Sequence, residues 1–181
     1  AMVVPLPEPF SDDQYALLLA RDSCGGGSSQ AIVVDVSGDE PAIVASEEIE
    51  GSIQESRLVG SVLYVVSQGY REEVPTEPID PEKPIDPDNP DGDRDEAGAA
   101  VEPLYSGYGS IVSSLDLADP TQPVRPETAG ELWFSGSGHV ISATDRYLFA
   151  VVQSIVHVID ISSPTGEMAL MSRIRSAGNI R

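Results

Sequence analysis

The stretch Ile155-Val156-His157-Val158-Ile159-Asp160-Ile161-Ser162-Ser163-Pro164 sets the reading of this chain. It is a β-branched run closed by an aspartate, then one apolar residue, then a Ser/Pro turn. Two earlier stretches have the same form. One is Ala31-Ile32-Val33-Val34-Asp35-Val36-Ser37, leading to Pro41; the other is Ile111-Val112-Ser113-Ser114-Leu115-Asp116-Leu117-Ala118-Asp119-Pro120. β-Branched residues suit a pleated strand, and Asp followed by Ser or Pro suits the turn that ends it. An aspartate that recurs in every copy is expected to cap its own turn by accepting backbone N–H groups. We therefore read Asp35, Asp116 and Asp160 as structural.

The pattern extends backwards from each copy. A second apolar run precedes each one, at 15–20, 62–66 and 147–152, and two of these have a further strand-like segment before them, at 56–60 and 140–144. Gly60-Ser61 and Asp145-Arg146 mark hairpin turns between them. Ser11-Asp12-Asp13-Gln14 has the form of a helix capping box. The run after it aligns with two strand-like copies, so a strand is expected there, with one helical turn at 11–14. The first copy shows no clear outer partner strand, and the residues from Met168 onward read as the start of a further unit.

Asp116 and Asp160 are 44 residues apart, and Asp35 and Asp116 are 81 apart, the excess matching an insertion. A period of about 40–45 residues with four short strands per unit is the sequence mark of a propeller blade. One such sheet exposes both faces, and only stacking on a neighbour buries them. The expected fold class is all-β: a β-propeller fragment of about three four-stranded blades. The expected divisions are a first, incomplete blade at 1–55, a second at 56–134 and a third at 135–181. Three blades do not close a ring, so either the chain belongs to a longer protein or copies associate; the first reading is preferred. Ala1-Met2 reads as an added start, and no signal peptide is visible.

The insertion, at about 70–106, lies within the second unit. From Glu72 to Glu102 there are twelve Asp or Glu against Lys83 and Arg94. Seven of the fifteen prolines fall between Pro75 and Pro103, and the hexapeptide Pro78-Ile79-Asp80-Pro81-Glu82-Lys83 recurs as Pro84-Ile85-Asp86-Pro87-Asp88-Asn89. Dense proline and like charge favour an extended, disordered segment. Asp88, Asp91, Asp93 and Asp95 are closely spaced oxygen ligands that could form a calcium loop, set against the preferred reading of a plain acidic linker. An EF-hand register centred on Gly92 fails, because Pro87 and Gly98 fall where carboxylates are required. No cofactor is predicted.

Charge excludes other partners. The chain has 30 acidic and 10 basic side chains, a formal net charge of −20, so no basic surface for nucleic acid can be assembled. No apolar run reaches the roughly 20 residues of a spanning helix. One cysteine, Cys24, precludes an internal disulfide; it sits in a Gly/Ser-rich hairpin tip with no evident base, so it is read as a loop residue. Ser135-Gly136-Ser137-Gly138-His139 lacks the spacing of a nucleophile elbow. His157 reads as a packed strand histidine.

Three residues stand out as ligand candidates. Arg57 and Glu55 lie on a strand expected near a propeller axis, where they would either pair to hold blades together or meet an anion. Trp133, beside Leu132 and Phe134, would pack at a blade boundary or present a carbohydrate platform together with Tyr105 and Tyr108.

The Val158-Ile159-Asp160-Ile161-Ser162 unit and its two copies resemble the LVIVD-type repeat of bacterial and archaeal surface propellers. The segment Gly51-Ser52-Ile53-Gln54-Glu55-Ser56-Arg57-Leu58-Val59-Gly60, running on to Tyr64, is similar to the secreted bacterial β-propeller-domain proteins. Ala143-Thr144-Asp145-Arg146-Tyr147-Leu148-Phe149 shares that similarity. The resemblance implies a propeller in a secreted or cell-envelope location, and it implies no catalysis and no particular ligand. The expected function is a non-enzymatic exported scaffold or protein-interaction module. The alternatives are a carbohydrate-binding propeller and an enzyme with its site in the axial channel of a full ring. Expected partners are another protein, the remaining blades of the same protein, or a second copy.

Overall fold

A computed structural model describes residues 2–5, 14–21, 28–71 and 107–175, with backbone alone at 2–5 and 139–140. The chain divides into two units, Ala1–Tyr70 with Tyr108–Arg181 and Arg71–Gly107, and the cores of all the sheets lie in the first. Cys24, Tyr105, the turn at 11–13 and the acidic segment with Asp88, Asp91, Asp93 and Asp95 lie outside the described residues.

Among the described residues, twelve strands form three four-stranded antiparallel sheets. The first holds β1 (Met2–Pro5), β2 (Tyr15–Arg21), β3 (Ser28–Asp35) and β4 (Ala42–Glu50) in that order. The second holds β5 (Ser52–Val59), β6 (Val62–Arg71), β7 (Gly107–Asp116) and β8 (Glu131–Ser135). The third holds β9 (Gly138–Ala143), β10 (Tyr147–Val152), β11 (Ile155–Asp160) and β12 (Ala169–Arg175). No residue among those described is helical, so the run after Gln14 is a strand, as its two copies demanded.

Two expectations are corrected here. The first sheet has an outer strand, β4, paired with β3 from Ser28↔Glu50 to Asp35↔Ala42. The stretch after Met168 is the outer strand of the third sheet, β12 paired with β11, rather than the opening of a further unit. Both are outer strands with exposed, charge-bearing positions, so neither carries the apolar run that marks the inner pair.

The three aspartate-bearing copies adopt one conformation. Asp35 Oδ1 accepts the Ser37 N–H at 2.9 Å, Asp116 Oδ1 the Ala118 N–H at 2.9 Å, and Asp160 Oδ1 the Ser162 N–H at 2.8 Å. In each copy the next residue donates its N–H to the residue just before the sheet's second strand. Those bonds are Val36 to Gln14 (2.7 Å), Leu117 to Ser61 (2.9 Å) and Ile161 to Arg146 (2.8 Å). A side chain repeated for turn closure thus closes the same turn three times.

Stacking supplies the core. Strand side chains alternate between faces, and in β6 both faces are covered. Leu63 and Val65 join Leu17, Leu19, Ala31, Val33 and Ile49 of the first sheet. Val62, Tyr64 and Val66 join Leu148, Ala150, Val152 and Ile159 of the third. Burying each such side chain contributes about 1.5–3 kcal/mol, so the two inter-sheet seams are the main source of stability. Burial also pushes the Tyr64 phenol up to about 12, with the Asp116 charge adding to the effect, so it stays neutral in the seam.

Candidate functional site

The links between successive sheets are built alike. Ser29 on β3 donates its hydroxyl to the Gly51 carbonyl at 2.7 Å and accepts the Ile53 N–H at 3.2 Å. Ser110 on β7 donates to the Gly136 carbonyl at 2.9 Å and accepts the Gly138 N–H at 2.7 Å. Each serine stands six residues before its aspartate, and each glycine has positive φ, 78° at Gly51 and 100° at Gly136. A Cβ at Gly51 would sit 2.3 Å from the Gln68 carbonyl oxygen, and one at Gly136 would sit 2.3 Å from Gln153 Nε2. Glycine is required at Gly51 on both counts and at Gly136 by its positive φ, since the Gln153 side chain can swing aside. These serines and glycines do not stand out as a pair in the sequence, although the serines' constant offset from the aspartates is an available signal.

Glu55 and Arg57 lie on β5, the first strand of the second sheet. They form an ion pair, and Glu55 Oε2 also accepts the Ile141 N–H of β9 at 3.0 Å. Arg57 donates to its neighbour's carbonyl, Ser56 O, at 2.7 Å and remains partly exposed. A bulge between Ile53 and Glu55 turns the Glu55 carboxylate towards the third sheet. The pair therefore spans the seam between two first strands, and only the Arg57 guanidinium faces outward.

Trp133 and Phe134 lie on β8 and point to opposite faces. The Trp133 indole rests directly on Gly109 of β7, where an added Cβ would come within 2.4 Å of the ring. Phe134 is buried, with its ring centroid 4.1 Å from that of His157. His157 is 5% exposed, and its Nδ1 has no hydrogen-bond partner among the described residues. Burial, reinforced by the Arg173 charge, pulls its pKa below the usual imidazole value. It is a neutral histidine packed in the seam.

Among the described residues, the most exposed aromatic surface lies elsewhere. Tyr70 near the end of β6 and Tyr108 near the start of β7 meet edge to face, centroids 5.4 Å apart, with 57% and 79% of their surfaces exposed. They stand where the acidic segment leaves and rejoins the sheet. Tyr108 is a candidate on sequence alone, whereas Tyr70 falls at the edge of the segment read as an insertion. Among the described residues no group of three or more His, Cys, Asp or Glu side chains is placed to hold a metal ion, and no helix is long and apolar enough to cross a membrane.

The carboxylates of the turns are engaged rather than reactive. The Ser37 hydroxyl, then its N–H, holds Asp35 below the usual carboxylate range; Ser162 does the same for Asp160, with Arg146 assisting. Thr121 acts likewise on Asp119, which accepts its N–H at 3.0 Å and its hydroxyl at 2.7 Å. No curated protein matches the chain. A family model described as a beta propeller domain matches residues 7–176, nearly the full length, in agreement with three stacked four-stranded sheets and a threefold turn. The chain belongs to the beta propeller domain family.

Proposed function

We propose that this chain is a non-enzymatic, exported interaction module that contacts a basic protein partner at the β6–β7 end of the middle sheet. The observation that carries the reading is the Tyr70–Tyr108 pair, two largely exposed rings at the root of a segment with twelve carboxylates and two basic residues. Exposed tyrosines supply contact area at low entropic cost, and a dense field of one sign steers an oppositely charged partner. The recurring aspartates are committed to turns, and Glu55 is committed to the seam, which leaves them poor candidates for chemistry. Export is the implication of the family likeness.

The test is calorimetric titration of the full chain with a cationic probe, poly-lysine, beside a variant lacking residues 72–104 and a Tyr70→Ala/Tyr108→Ala variant. The reading predicts that both variants fold, that the deletion abolishes binding and that the double substitution weakens it about tenfold or more at moderate salt. Equal binding by all three would contradict it.

A carbohydrate-binding role is the second reading, favoured by the 79% exposure of Tyr108. Glycan-array binding lost on Tyr108→Ala or Trp133→Ala, with poly-lysine binding unaffected, would replace the first reading with this one.

A further inference from the structure

The tyrosine pair at the β6–β7 end has a geometry that distinguishes between basic side chains. Tyr70 and Tyr108 meet at an interplanar angle of 66° with centroids 5.4 Å apart. In that arrangement one ring uses an edge and the other uses one face, so further ring faces stay available for contact. Exposures of 57% and 79% place those faces in solvent. Arg71 follows Tyr70 on β6, so alternation sends its side chain to the opposite face of the sheet.

A cation is drawn to an open ring face by the ring quadrupole. Lysine and arginine differ in what they can do there. An ammonium is a compact, strongly hydrated charge that must give up water to touch a ring. A guanidinium is planar and weakly hydrated; it lies flat on the ring and keeps its N–H groups free to donate in plane to carboxylates.

The chain makes this arrangement within itself. Arg146 lies over the Tyr147 ring, its guanidinium carbon 5.2 Å from the centroid, while its Nη2 stands 3.8 Å from Asp160 Oδ2. The Arg146 side chain is 65% exposed, so a ring and a carboxylate hold a guanidinium at the surface without a pocket. At the β6–β7 end the chain brings together two open rings and, from Glu72 onward in sequence, twelve carboxylates against two basic residues. The guanidinium is what a partner would supply.

We propose that the tyrosine pair selects arginine over lysine, so that the partner segment recognised is arginine-rich, with a guanidinium stacked on the open faces of Tyr70 and Tyr108. This rests on the basic-partner reading and adds the chemistry of the contact. The acidic field brings a basic segment in, and the rings decide which basic side chain is held.

Calorimetric titration of the full chain with octa-arginine and with octa-lysine tests it, beside Tyr70→Ala/Tyr108→Ala and Tyr70→Phe/Tyr108→Phe variants checked for fold by circular dichroism. The two peptides carry the same charge, so the comparison isolates the side-chain chemistry. Octa-arginine should bind the parent chain about fivefold or more tightly than octa-lysine at moderate salt. In the alanine variant the two should fall to within about twofold of each other. The phenylalanine variant keeps the ring faces without the hydroxyls and should retain the preference. Raising the salt should weaken octa-lysine more than octa-arginine, because long-range attraction is screened more than stacking. Equal binding of both peptides by the parent chain, or an arginine preference that survives in the alanine variant, would overturn this inference and leave the basic-partner reading standing. Loss of the preference in the phenylalanine variant would overturn ring stacking, and the inference with it. Binding of neither peptide would overturn both.

Discussion

The second sheet and its two neighbours share one repeat but differ in how it is buried. In β6 six consecutive residues from Val62 to Ser67 are buried, and in β7 seven, from Gly109 to Leu115. In β10 and β2 burial alternates, with every second residue partly open. The aspartate turns are the same in all three, so local geometry does not account for the difference. Neighbours do: a sheet with one on each side buries both faces, and a sheet with one neighbour buries half. Stability in this chain is thus a property of seams, as in stacked repeats generally.

The largest expected effect tests that contrast directly. Tyr64→Ala and Leu63→Ala, one for each seam of the middle sheet, should cost about 3–5 and 2–5 kcal/mol in urea unfolding. Ile43→Ala on the open face, where the side chain is 69% exposed, should cost under about 1 kcal/mol, since little burial is lost. Similar losses at Ile43 and Leu63 would break the comparison.

The links come next. Gly51→Ala meets both a positive φ and a 2.3 Å approach to backbone and should cost at least about 2 kcal/mol, whereas Gly136→Ala meets the positive φ and a movable Gln153 side chain and should cost about 1–2 kcal/mol. Ser110→Ala removes a buried hydroxyl with two partners and should cost about 1–3 kcal/mol, most of it from the unpaired Gly136 and Gly138 groups. Ser154 occupies the same register position in the third sheet and makes no such clasp among the described residues, so Ser154→Ala should change stability by less than about 0.5 kcal/mol. Equal costs at Ser110 and Ser154 would remove the clasp as a source of seam stability.

The pH effect at His157 is smaller. Its folded pKa lies below the unfolded value near 6.5, so the unfolded chain takes up a proton that the folded seam refuses. Its contribution is complete above about pH 6.5 and is lost as pH falls from there towards the folded pKa. Melting temperatures at pH 7.5 and 5.5 should differ less for His157→Leu than for the parent chain. An unchanged difference would place the titrating group elsewhere.

How much of the fold is legible in the sequence depends on where information concentrates. The inner strands announce themselves because both their faces are apolar, as at 62–66, and the aspartates because their role depends only on neighbours two residues away. The strands β4 and β12 escape notice for the opposite reason. Outer strands such as Ala42–Glu50 and Ala169–Arg175 mix Glu or Arg with scattered apolar residues and pair through the backbone, which any side chain permits. For the candidate site, Glu55 and Arg57 are legible as a pair, but not the bulge that carries Glu55 to Ile141. Tyr70 falls where the sequence reads as the start of the insertion, although β6 runs on to Arg71, and its exposure is a property of the sheet's end rather than of local sequence.

Hydrogen exchange on the chain tests most directly whether matched sheets are held by their neighbours. Amides of β6 and β7 should exchange only through global unfolding, while those of β2 and β10 should exchange measurably faster through local opening. Protection in β2 and β10 equal to or above that in β6 and β7 would contradict the account.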